Sequence, residues 1–319
     1  LVLGGATQAF AQPAAATSKQ APKAGDKDKL IEELELETKD NVLLSVNYYK
    51  SKLGKEAAVI VILHHDKGNK QDYDAVAKQL QALGHAVVVP DLRGYGKSTK
   101  QVIKKMVAGE TKVVDTKTIT TTRKQDFEAI VLVDLERIKT FLFERHNAGE
   151  FNVRKLGVLG VEMGALIGMN WSLLVDWEWP TLTTGPQGKD VRGLILISPR
   201  WNHKGLVLTQ ALERKEYIAE IPTLIMVGGK DASSLNDSKR LNDQFARWHP
   251  EPPPEEIQEK KNLFYFVFDT SLQGFKLLSE RKLIVDAKKA NAPSYNPVDV
   301  INAFITNRLQ KSKEVWKER

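Results

Sequence analysis

The chain has 319 residues, 42% of them hydrophobic and 27% charged, which fits a globular protein with one large α/β domain or two small ones. It contains no Cys, and this excludes a disulfide framework, a thiol nucleophile and a thiolate metal site. The formal charge of +7 is spread along the chain with no RNA- or DNA-binding motif beside it, so no nucleic-acid partner is expected.

Residues 1–11, LVLGGATQAFA, look like the end of a signal peptide, with Ala9-Phe10-Ala11 as the small-x-small cleavage site before Gln12. The expected location is therefore export, periplasmic or secreted. Residues 12–29 are rich in Ala, Pro and Lys, have no apolar period, and read as a disordered linker. Residues 30–309 read as the domain, and residues 310–319 as a charged tail. No stretch is long and apolar enough for a transmembrane segment.

Residues 30–37 and 42–48 alternate apolar and polar, with Asp40-Asn41 between them, and predict an antiparallel hairpin. Residues 57–63, AAVIVIL, predict a strand buried on both faces. HHDKGN follows as a loop, then a helix over 72–83 stopped by Gly84. A buried strand over 86–89 leads into PDLRGYGKS, residues 90–98. Residues 100–123 are polar, rich in Thr and Lys, and read as a long loop. A helix over 125–144 carries Phe127, Ile130, Val131, Leu135, Ile138, Phe141 and Leu142 on one face.

Residues 156–168, LGVLGVEMGALIG, read as a buried strand, a tight turn and a helix opening at Met163. Gly160 and Gly164 flank Glu162 at −2 and +2, the spacing of a nucleophile elbow, where strand and helix pass too closely for larger side chains. After a loop over 176–190 come a strand over 191–197, SPRW, and a short helical segment over 205–215. A strand over 222–227, GGKDASS, a helix over 236–248, a last strand over 263–268 and a closing helix over 298–309 complete the chain. Trp171, Trp177, Trp179 and Trp201 cluster around these loops and are read as core or as a platform for a ligand.

The alternation defines the fold class as α/β, a mostly parallel central sheet with helices on both faces and an N-terminal antiparallel hairpin. Four features make it resemble the α/β-hydrolase superfamily. PDLRGYGKS resembles that family's PDxRGxGxS turn, HHDKGN sits where the family keeps its oxyanion-hole loop, GVEMG is the elbow, and Gly229-Lys230-Asp231 matches the G-x-x-D acid position.

The resemblance implies a Ser nucleophile, a His base and an acid. Here the elbow residue is Glu162, Gln273 of QGF stands where the family often has His, and only Asp231 keeps the family's residue type. Asp231 also fits a plain N-cap. Gln cannot cycle a proton near neutral pH. The implied oxyanion donors are Met163 and the loop of His65, Asp66 and Lys67. Glu162 at a helix N-terminus would fill the anion spot itself. His64 and His65 are read as loop residues or as groups approaching Glu162. A cation held by Glu162 and Asp231 has no ligand-spacing motif behind it, so neither a metal nor a cofactor is expected. The function implied is a pseudoenzyme, an exported hydrolase-fold protein with an incomplete triad that binds an unidentified ligand or protein. The alternative is an esterase- or peptidase-like hydrolase with altered chemistry on Glu162 and Asp231.

Overall fold

Ten strands build one sheet among the described residues. They are β1 (Ile31–Glu37), β2 (Val42–Tyr49), β3 (Val59–Leu63), β4 (Ala86–Pro90), β5 (Lys100–Val107), β6 (Glu110–Thr118), β7 (Leu156–Val161), β8 (Val191–Ile197), β9 (Thr223–Gly228) and β10 (Leu263–Phe268). Their order is β10-β9-β8-β7-β3-β4-β2-β5-β6, with β1 on β2. The strands from β10 to β4 run parallel, and β2 joins β4 and β1 antiparallel with Leu34 opposite Val46. The expected hairpin and mostly parallel sheet are both present. This computed structural model describes residues 29–107, 110–182, 185–285 and 292–319. The signal-peptide reading and nearly all of the linker reading fall outside them.

The continuous apolar runs are explained by two cores, one on each face. In β3, Val59, Val61 and Leu63 enter one core while Ile60 and Ile62 enter the other. The first core is closed by α2 (Lys124–Ala129), α3 (Leu135–Asn147) and α4 (Met163–Trp171), and includes Phe127, Ile138, Leu166 and Trp171. The second takes Val76 and Leu80 of α1 (Asp74–Ala82), Leu277 of the helix Gly274–Ser279, and Ile301 and Ile305 of the helix Pro297–Ile305. Trp177 is also core, its Nε1 donating to the Val191 carbonyl at 2.9 Å, whereas Trp179 is exposed. No helix among the described residues is long and apolar enough to cross a membrane.

Two stretches differ from the sequence expectation. Residues 100–118 form a β-ribbon rather than a loop. Its register runs from Lys100 opposite Thr118 to Val107 opposite Glu110, and the step from Ile103–Asp115 to Lys104–Val113 leaves Val114 as a bulge. Among the described residues its ladder partners on β2 are Val42 and Leu43 alone. β6 is exposed at every residue, so burial imposes no apolar alternation on it. The second stretch is residues 202–220. Asn202–His203 and Leu206–Val207 pair as a small hairpin, and within 205–215 the chain makes only a 3-10 turn, Ala211–Glu213, before an α-helix begins at Lys215.

The turn PDLRGYGKS is held by its own charges. Asp91 accepts the Lys70 N–H at 2.7 Å and the Lys97 N–H at 2.8 Å. Arg93 donates to Asp134 at 2.6 Å and to Asp40 at 2.5 Å, tying the π-helical segment Ile130–Asp134 between α2 and α3 to the β1–β2 turn.

The charged tail is docked. Trp316 donates to the His146 carbonyl at 3.1 Å, and the Arg319 guanidinium lies 2.8 Å from Asp190. Asp190 in turn shares buried Lys139 with Asp176, whose carboxylate also accepts the Asp190 and Val191 N–H groups. Burial and the neighbouring Asp176 charge push the Asp190 carboxyl above the ordinary range. Arg319→Ala leaves two buried carboxylates facing Lys139 alone. We expect a loss of roughly 2 kcal/mol in urea unfolding, capped because Asp190 can take up a proton. A change within the noise of the unfolding curves would show that the strap carries no stability.

Candidate functional site in the rim cleft

The elbow forms as its spacing requires. β7 ends at Val161, and Glu162 turns the chain at φ 49° and ψ −106°, a conformation that non-glycine residues rarely adopt. A Cβ on Gly160 would lie 2.4 Å from Ala165 Cα, and one on Gly164 would lie 2.1 Å from the Leu63 carbonyl oxygen. The Glu162 N–H donates to Ile197 at 2.9 Å, and the Glu162 carbonyl accepts from Ala165 and Leu166. The strain is therefore imposed from both sides. Among the described residues the Met163 N–H has no hydrogen-bond partner.

The Glu162 carboxylate is partly exposed. One oxygen lies 3.8 Å from the Arg200 guanidinium, and a Cβ on Gly274 would sit 2.1 Å from the other. Among the described residues no imidazole nitrogen comes within 4.0 Å of this carboxylate. The carboxylate at the elbow thus has a cation beside it and no imidazole within that distance among the described residues.

Gln273 and Asp231 lie on neighbouring rim loops, each engaged locally. The Gln273 amide donates to the Gly228 carbonyl at 2.8 Å, while its oxygen accepts from the Ser198 hydroxyl at 2.7 Å and from the Gly228 N–H at 3.4 Å. It thus caps the end of β9 as a strand would. Ser198, fully buried at φ 46°, also accepts the Gly274 N–H at 2.9 Å. Asp231 is the N-cap of the helix Ala232–Ala246, accepting the Ser234 N–H at 2.8 Å. That backbone bond, with Arg200 nearby, lowers its pKa. No hydrogen bond among the described residues joins Glu162, Gln273 and Asp231 to one another.

The expected oxyanion loop turns tightly, with Gly68 N–H donating to the His65 carbonyl at 3.0 Å and Lys67 at φ 61°. His65 Nδ1 lies 2.9 Å from the Tyr73 hydroxyl, and its ring stacks on Phe275 at 6.0 Å. Asp66 accepts from Tyr95 at 2.7 Å and Lys204 at 3.2 Å. Burial would raise its carboxyl, but these two hydrogen bonds outweigh burial and hold it low. The sequence reading missed Arg200, Ser198, Tyr95, Tyr73 and Lys204. The available signal was position, since SPRW and GYG both follow strand ends on the ligand-binding rim.

His64 is structural. Its Nδ1–H donates to the His65 carbonyl at 2.7 Å, and its Nε2 accepts the Leu92 N–H at 3.0 Å, which fixes a neutral ring. Burial lowers its pKa to about 4. Because the folded value lies below the unfolded one, its contribution is complete above about 6.5 and is lost as pH falls towards about 4. We expect the stability difference between the unmodified chain and His64→Gln to shrink by roughly 3 kcal/mol across that window, read from urea curves. A difference independent of pH would rule out a neutral, buried His64. Among the described residues no three His, Asp or Glu side chains are grouped to hold a metal ion.

No protein-family model and no curated protein matches the chain. Solved structures do match. An esterase of Pyrococcus furiosus is 15% identical with a TM-score of 0.53, over 88% of this chain and 91% of that one. A fungal esterase of Rhizomucor miehei is 12% identical with a TM-score of 0.53, over 88% and 84%. TT1662 of Thermus thermophilus is 14% identical with a TM-score of 0.53, over 89% and 99%. The chain has the α/β-hydrolase fold, and at these identities the likeness concerns the fold alone.

Proposed function

We propose that this chain is an exported hydrolase-fold protein that uses the old catalytic cleft to bind, not to cleave. The observation that carries the reading is Gln273, a residue without a usable proton, in the position of the base and hydrogen-bonded to Gly228 and Ser198. Glu162 at the elbow has Arg200 for its neighbour, and an ester formed on it would have no base to activate the hydrolysing water. Asp231 serves its own helix.

The test is turnover of p-nitrophenyl acetate by the unmodified chain, Glu162→Ser, Gln273→His and the double variant. We expect none from the first three beyond the residual about 10³–10⁴ over water that binding and an oxyanion hole supply. The double variant should exceed both single variants, because nucleophile and base act as a unit. Robust turnover by the unmodified chain, abolished in Glu162→Ala, would establish the competing reading of a hydrolase that uses Glu162 and Asp231. Export rests on residues 1–11, and Edman sequencing of the secreted or periplasmic protein should begin at Gln12.

A further inference from the structure

The sheet rim around Glu162 holds an uneven set of charges. Arg200 is 3.8 Å from Glu162, and its charge is also felt by Asp231 and His203. Among the described residues the Arg200 guanidinium donates no hydrogen bond, which leaves its five donors to solvent or a ligand. Its side chain is 35% exposed and that of Glu162 22%, so both heads reach solvent. A pair of this length and exposure is weak and opens at little cost.

A ligand entering here must part the pair. A simple carboxylate would satisfy Arg200 and leave Glu162 facing a like charge, with Asp231 adding to the repulsion. A phosphate dianion would meet the same two carboxylates with twice the charge. A simple amine would satisfy Glu162 and strand the guanidinium. A ligand with both an ammonium and a carboxylate replaces both halves of the pair and leaves no charge unmatched. The 3.8 Å spacing of the two protein heads calls for ligand charges that are also close together.

We propose that Glu162 and Arg200 form a site for a compact zwitterion, an α-amino acid, with its ammonium on Glu162 and its carboxylate in the Arg200 fork. This rests on the reading of the cleft as a binding site. The elbow carboxylate then takes part in recognition, and the two ligand charges replace the ion pair.

Isothermal titration with L-alanine, acetate, ethylammonium and ε-aminocaproate tests it. L-alanine should bind at least tenfold more tightly than any of the other three, and Glu162→Gln and Arg200→Gln should each cost at least tenfold in L-alanine affinity. Acetate should bind Glu162→Gln more tightly than the unmodified chain. Both substituted side chains are partly exposed, and circular dichroism melts should show that the variants fold. L-alanine binding no tighter than acetate, or unaffected by either substitution, overturns the proposal. Ester turnover that depends on Glu162 would instead sink the underlying binding reading, so the two failures are separable.

Discussion

Arg93→Ala will destabilise the protein by about 3–5 kcal/mol, the usual result of removing one partner from a buried ion pair. Asp134 is 1% exposed and receives three hydrogen bonds from Arg93, two from Nη2 and Nε to one oxygen and one from Nε to the other. Burial raises the Asp134 carboxyl to about 6 even with the guanidinium beside it, so desolvation outweighs the pairing. Its folded value lies above the unfolded one, and the ionised carboxylate therefore costs stability as pH rises from about 4 through about 6. Without Arg93 that cost grows, Asp134 takes up a proton near neutral pH, and Asp40 loses its partner as well. Urea unfolding at pH 7 should show the full loss, and the Arg93→Ala deficit should narrow at pH 5. Adding Asp134→Asn to Arg93→Ala should recover part of the loss, because it removes the stranded charge. Equal deficits at both pH values would show that the charge of Asp134 is not the cause.

Gly164→Ala should be at least as damaging. The added methyl group would lie 2.1 Å from the Leu63 carbonyl oxygen, 2.6 Å from its carbon and 2.7 Å from the His64 carbonyl oxygen. These are backbone atoms of the last residue of β3, a central strand paired on both sides, and of the residue that follows it, and no rotamer can move them away. The helix must lift off the sheet, which disrupts the core at Met163, Ala165 and Leu166. The cost should exceed the roughly 1–3 kcal/mol of ordinary overpacking. Gly168→Ala is a useful comparison, since its new contacts would be side-chain carbons of Val158 and Leu63, which can shift. A Gly164→Ala melt close to that of the unmodified protein would mean that strand and helix do not approach this closely in solution.

The contrast between these sites shows what the sequence reveals. VIVIL is legible because burial on both faces demands unbroken apolar residues, and the elbow is legible because only glycine fits at Gly160 and Gly164. The hairpin, the helices and the two-sided core follow from the same periodicity. The ribbon over 100–118 was hidden because solvent lies on both faces of its outer part, so no pattern marks it. The docked tail was hidden for another reason. Its anchors, His146, Asn147 and Asp190, belong to distant elements and are single polar contacts without a period. At the site, the turn at Glu162 between its two glycines could be read directly, but the guanidinium beside Glu162 could not. Arg200 comes from a different strand end, and only the fold brings the two together.

The bulge at Val114 also bears on how the protein behaves in concentrated solution. β6 is the last strand at one end of the sheet, long and fully exposed, with apolar side chains at Val113 and Val114. A flat edge of that kind invites a second molecule to continue the ladder, and the end point of such stacking is a fibril. The extra residue breaks the register in the middle of the strand, while Lys112 and Lys117 place like charges along the same border. A stacking neighbour would have to match a broken rung pattern and bring lysines together. Deleting Val114 should straighten the edge and yield a protein that folds as before but forms thioflavin-positive aggregates at concentrations where the unmodified chain stays clear.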